Sequence, residues 1–160
     1  MMDSTMLPRL ASEIDHAMGR ISRFSHETPL LRIPKLDQHI QGEVWLKAEC
    51  LQATGSFKIR GALNVMSMLQ RTQAADRVIA FSSGNHGIGV AYAARCLGMQ
   101  ALIVVPKDAP AAKIDRIRSL GAKMVFYDRH TEDREQIAAR LVERQPAPMV
   151  KPYDNWDTIA

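Results

Sequence analysis

Aromatic residues make up only 6% of the 160 residues, and no basic stripe stands beside them. Single-stranded nucleic acid is bound on stacking platforms along a cationic groove, and duplexes need clustered Lys and Arg. The net charge of +4, from 21 basic and 17 acidic residues, is dispersed: Asp128-Arg129 and Glu132-Asp133-Arg134-Glu135 alternate in sign. No nucleic-acid partner is expected. No apolar run approaches the roughly 18–20 residues of a membrane span, so no membrane partner is expected either. The first 22 residues carry an early acid, Asp3, and no apolar block. They do not read as a secretory signal, and a cytoplasmic location is expected. The two cysteines, Cys50 and Cys96, form no CxxC pair and are expected to be buried free thiols. The five histidines show neither HxxxH nor HExxH spacing, so no metal site is expected.

What is present is an ordinary globular composition, 46% hydrophobic and 24% charged, with length for about one domain. Ile14, Ala17, Met18 and Ile21 repeat at helical spacing and predict a first helix ending before Ser25. Thr28-Pro29-Leu30 is extended, because a residue preceding proline avoids the α region. Residues 44–49 alternate like a strand with one buried face. Thr54-Gly55-Ser56 is a turn with an N-cap that opens a helix from Phe57 to Gln70. Beyond it strands and helices alternate: strand 77–81, helix 88–97, strand 101–105, helix 111–120, strand 123–127, helix 132–145 and a short strand at Met149-Val150. Gly98 and Gly121 stand as helix stops. Near-continuous apolar strands alternating with helices predict an α/β fold, a parallel sheet with helices on both faces. Ligands of such sheets bind at the carboxyl ends of the strands, which points to the loop Ser82 to Gly87.

Two features carry chemistry. On a wheel of about 100° per residue, Arg60, Asn64 and Ser67 form the polar face of helix 57–70, and Lys58 falls among Ala62, Val65 and Leu69. A lysine there either lays its stem on apolar surface and sends its ammonium to water, or is a desolvated amine at a helix start that can form an imine with a carbonyl cofactor. The second feature is Ser82-Ser83-Gly84-Asn85-His86-Gly87-Ile88-Gly89, a strand–loop–helix whose glycines follow neither the dinucleotide nor the P-loop pattern. It is either a structural turn or an anion cradle of backbone N–H groups sized for a carboxylate or phosphate.

Ser56-Phe57-Lys58-Ile59-Arg60-Gly61-Ala62 followed by Ser82-Ser83-Gly84-Asn85-His86-Gly87 resembles the signature pair of the serine/threonine dehydratase and serine racemase family, pyridoxal-phosphate enzymes of fold type II. Thr28-Pro29-Leu30, the segment 109–113, Gly121-Ala122 and Asp157-Thr158-Ile159-Ala160 match in the same order. The resemblance implies that Lys58 holds pyridoxal 5'-phosphate as an imine and later moves the α-proton. It further implies that Phe57 packs on the pyridine ring and that Asn85 bonds the phenolic oxygen. Ser83, Asn85, His86 and Gly87 would receive the substrate carboxylate, and Ser83 matches the second acid/base of racemases. The implied reaction takes water and ammonia from serine, threonine or a related hydroxy amino acid. The alternatives are racemase activity in the full-length form, or a truncated module without turnover.

By this resemblance Ile59 and His86 favour the dehydratase/racemase branch and Tyr153 leans toward a dehydratase within it, while Cys50 and Ala53 depart from the usual motif. By the same resemblance the chain is an N-terminal half. Residues 1–75 would begin a large domain, 76–150 would be the small domain, and 151–160 would return to the large one. The phosphate-binding tetraglycine loop, a divalent-cation site and the residue facing the pyridine nitrogen would follow Ala160. The full-length form is expected to be a homodimer acting on a small amino acid.

Overall fold

A computed structural model describes residues 6–82 and 84–159. Helix α1 (Met6–Ile21) is followed by strand β1 (Leu30–Arg32), helix α2 (Pro34–Ile40), strand β2 (Trp45–Lys47) and a 3-10 turn (Glu49–Leu51). Helix α3 (Lys58–Arg71) leads into β3 (Arg77–Phe81), α4 (Asn85–Leu97), β4 (Gln100–Pro106), α5 (Ala111–Ser119), β5 (Lys123–Tyr127), α6 (Arg134–Arg144) and α7 (Trp156–Ile159).

β3, β4 and β5 form a parallel sheet in that order, with Ile79 opposite Leu102 and Val104 opposite Val125. Met149 bridges Ile79 in parallel on the outer side of β3, so the 149–150 segment begins a fourth position. Side chains alternate along a strand, and both faces are apolar here. Val78, Ala80, Ile103 and Val105 meet Val90, Ala91 and Ala94 of α4 and Ile117 of α5, with Ile59, Leu63 and Met66 of α3 in the same core. Ile79, Phe81, Val104 and Tyr127 meet Ala138 of α6, with Ile137 and Leu141 beside it. Burial on this scale contributes about 1.5–3 kcal/mol for each large aliphatic side chain. The α/β sandwich expected from the strand–helix alternation is thus the one observed.

Several local expectations are corrected. Asn64 and Ser67, placed on a polar face, are buried. The reason is that α1 and α7 both pack on α3: Arg20 Nε donates to Asn64 Oδ1 at 2.6 Å, and Asn64 Nδ2 donates to the Asp157 carbonyl at 2.8 Å. The strand at 44–49 is only Trp45–Lys47, pairs antiparallel with β1, and has no buried face. No third strand joins this ribbon among the described residues. Cys50 is exposed and Cys96 half-buried, because the 3-10 turn that carries Cys50 lies at the surface. α2 and α7 were not anticipated, since each is too short for helical periodicity to register.

Candidate functional site

The start of α3 differs from the expected one. Phe57, not Ser56, occupies the N-cap position, in helical conformation and without a side-chain cap. The Ser56 hydroxyl is buried and has no hydrogen-bond partner among the described residues. Lys58 is thus the first helical residue, half-buried. Its Nζ donates to the Pro152 carbonyl at 2.8 Å and lies 4.9 Å from the Phe57 ring centre. Both residues line a cavity of about 470 Å³ with Ile21, Gly61, Tyr153 and Thr158. Neither open alternative for the lysine is quite met: its ammonium is neither released to water nor sealed in the core, but held on a backbone carbonyl beside a cavity.

Asn85, His86 and Gly87 are not loop residues but the first turn of α4, which starts three residues before the expected Ile88. Helix starts leave their first N–H groups without intrahelical acceptors, so the cradle is a helix N-terminus. Gly84 precedes it, and its N–H donates to Ser82 Oγ at 3.1 Å. Asn85 is exposed. Gly87 is buried, and a Cβ there would lie 3.2 Å from Ile117 Cδ1 and 3.3 Å from Ser82 Cβ. Ser83, expected to act as an acid/base and carboxylate ligand, lies outside the described residues.

His86 is buried, and its Nε2 lies 2.9 Å from the Val150 carbonyl. Burial pushes its pKa down from 6.5, the Val150 hydrogen bond opposes this, and the Lys58 charge adds to the lowering. A carbonyl only accepts, so the neutral ring carries its proton on Nε2 and leaves Nδ1 as a bare acceptor. Nδ1 is buried and has no partner among the described residues. Lys58 and His86 therefore hang from one segment, 150–152, itself tied to β3 by the Val150 N–H donating to the Ile79 carbonyl at 2.9 Å.

The two motifs meet through the backbone. A Cβ on Gly89 would sit 3.1 Å from the Lys58 carbonyl oxygen and 3.2 Å from the Ile59 nitrogen. Asn85 lies four residues earlier on the same face of α4, about 6 Å along the axis. The cavity lining itself contains Phe57 and Lys58 but not Asn85, His86 or Gly87 among the described residues. Sequence reasoning missed Glu49. Arg60 Nε and Nη2 donate to its two carboxylate oxygens at 2.9 and 2.7 Å, and Thr28 Oγ1 donates at 2.6 Å. Arg60 pairing, then burial opposing it, then Thr28 set the Glu49 carboxyl at about 2. The signal was an unmatched Arg60 in the first turn of α3, but its partner is eleven residues away across an irregular segment.

The cofactor implied by the resemblance needs an amine for its aldehyde and room for a flat ring. A lysine amine opening on a cavity of about 470 Å³ beside an aromatic ring fits that end, and the Ser56 hydroxyl and His86 Nδ1 are buried polar atoms at the two motifs without partners among the described residues. No group of three or more His, Cys, Asp or Glu that could hold a metal occurs among the described residues. No described helix is long and apolar enough to cross a membrane.

Known proteins are similar throughout. L-threo-3-hydroxyaspartate ammonia-lyase from Pseudomonas sp is 47% identical over 148 residues, 92% of this chain and 46% of that protein. Serine racemase from Schizosaccharomyces pombe is 38% identical over 160 residues, all of this chain and 49% of that protein. The solved structure of maize serine racemase superposes with a TM-score of 0.83 at 35% identity, covering 92% of this chain and 45% of that one. The chain thus spans about half the length of the curated relatives it matches. The fold, the lysine beside its cavity and the match of residues 21–160 to one family together place the chain in the pyridoxal-phosphate dependent enzyme family.

Proposed function

We propose that the full-length protein is a pyridoxal-phosphate-dependent ammonia-lyase for a hydroxy amino acid: L-serine, L-threonine or L-threo-3-hydroxyaspartate. The observation that carries this reading is the Lys58 amine, held at the first residue of α3 on the Pro152 carbonyl and opening on the cavity. The 47% identity to a hydroxyaspartate ammonia-lyase supports the reaction class. The cofactor supplies an aldehyde for the amine and a ring that draws electrons from the bond to the α-hydrogen.

In this reading the chain's residues bind, orient and move protons. Lys58 Nζ is the only lysine amine lining the cavity among the described residues, and it takes the α-proton once free. Phe57 covers the ring. Asn85 reaches the phenolic oxygen from the first turn of α4. The carboxylate is received at that turn by the backbone N–H groups of Asn85, His86 and Gly87, with Ser83 beside them. His86 contributes through its backbone, because its ring proton is engaged by Val150. Loss of the β-hydroxyl as water and hydrolysis of the released product leave a keto acid and ammonia. The similarity to serine racemases favours racemisation as a second activity, with Ser83 as the acid/base on the opposite face. Residues 1–75 are assigned to a large domain, 76–150 to a small one and 151–160 to a return segment. The sheet β3–β5 with α4–α6 supports the small domain, although α3 shares its core. A homodimer and a cytoplasmic location complete the proposal.

The test is borohydride trapping of the cofactor in the full-length protein and in Lys58→Ala. Label on Lys58 and keto acid release from the three substrates are expected, with both lost in the variant. Activity retained in Lys58→Ala would refute the mechanism.

A further inference from the structure

The first turn of α3 carries two cations, Lys58 and Arg60, and no acid. It has no side-chain cap, and Phe57 at the N-cap position is already helical. Each feature disfavours a helix start, because the exposed N–H groups and the macrodipole make that end positive. Yet the turn bears the reactive amine, whose geometry must hold to a few tenths of an ångström.

Glu49 supplies what the helix lacks. It comes from the 3-10 turn, takes both donors of the Arg60 fork, and is held in turn by Thr28. The side chains of Arg60 and Glu49 are 24% and 16% exposed, so the pair is little screened. The frame extends further: Arg60 Nη2 also donates to the His26 carbonyl at 3.2 Å, and Gln52 closes a ring with the His26 backbone at 2.7 and 2.9 Å. Three chain segments, 26–28, 49–52 and 58–60, are thereby locked to one another. Thr28 belongs to the matched Thr28-Pro29-Leu30 stretch, and the proposed chemistry gives neither it nor Glu49 a task.

We infer that the Glu49–Arg60 pair, with Thr28, is the positioning device for Lys58: an acid lent from outside the helix that fixes its uncapped first turn and so aims the amine. The inference rests on the reading of Lys58 as the cofactor's amine.

The experiment uses the full-length protein with Glu49→Gln, Thr28→Val, Arg60→Lys and, as control, Lys58→Ala. Three quantities are read: the pyridoxal phosphate concentration for half-maximal trapping on the Lys58 peptide, the visible circular dichroism recorded before reduction and divided by the cofactor then trapped, and Tm. A fixed cofactor gives induced dichroism, whereas a general loss of stability leaves the signal per folded, labelled molecule unchanged. Glu49→Gln raises the midpoint about tenfold and cuts the induced signal by about half; Thr28→Val, losing one charge-assisted bond, raises it about threefold. Arg60→Lys, which keeps the charge without the fork, falls between wild type and Glu49→Gln. Wild-type midpoint and induced signal in Glu49→Gln and Thr28→Val overturn the inference. If Glu49→Gln does not fold, Thr28→Val decides by the same criterion. Undiminished total labelling in Lys58→Ala refutes the Lys58 reading itself, and this inference with it.

Discussion

Two glycine-to-alanine changes in helices should act with opposite sign, and the contrast isolates how α7 closes the cavity. Alanine is favoured over glycine in a helix interior by about 0.5–1 kcal/mol. Gly19 in α1 faces open space, so Gly19→Ala should gain that amount. Gly61 in α3 lies under α7: a Cβ there would meet the Thr158 carbonyl oxygen in a severe overlap and Thr158 Cγ2 at 2.9 Å. Ordinary contact requires α7 to retreat by about 1 Å, which breaks close packing. The retreat stretches the 2.8 Å bond from Asn64 Nδ2 to the Asp157 carbonyl. Asn64 is fully buried, so its amide would be left unsatisfied at a cost of about 1–3 kcal/mol. Set against the helix gain, Gly61→Ala should be destabilised by about 1 kcal/mol, or about 2–4 °C in Tm. Thermal melts of both variants, with Trp156 fluorescence reporting on α7, measure this. A Gly61→Ala protein that melts at or above Gly19→Ala, with unchanged Trp156 emission, refutes the argument that the close approach of α7 requires glycine.

Further expectations follow from other contacts. Gly89→Ala would press its Cβ on the Lys58 peptide at 3.1–3.2 Å, so it should weaken cofactor trapping on Lys58 several-fold while leaving far-ultraviolet dichroism unchanged. Acid titration of stability should show the Glu49 carboxylate. Its pKa is depressed to about 2 from 4.5, so its contribution is complete above about 4.5 and is lost as pH falls toward 2. Urea melts of wild type and Glu49→Gln should therefore converge across that interval, and a constant difference would refute the pairing.

The elements that were legible in the sequence share a local cause. β3, β4 and β5 are short apolar runs between breakers, and Gly98 and Gly121 occur at positive φ just past their helices. Lys58 stood out because it broke the apolar stripe of its own helix. The start of α4 was placed three residues late, since Asn85-His86-Gly87 reads as loop chemistry while the backbone uses it as a first turn. The polar face assigned to α3 failed for another reason. A wheel sorts residues by type but cannot show that α1 and α7 bring Arg20 and the Asp157 carbonyl to satisfy Asn64 inside the core.

The sequence by itself determined the alternating α/β order, the lysine, the glycine loop and the family they resemble, because periodicity, helix stops and short motifs act over a few neighbouring residues. Only the tertiary structure decided what holds the lysine: the Pro152 carbonyl 94 residues away, the Gly89 backbone of α4, and the Glu49 carboxylate under Arg60. Those contacts join segments distant in the chain, and their directions exist only once the helices are packed.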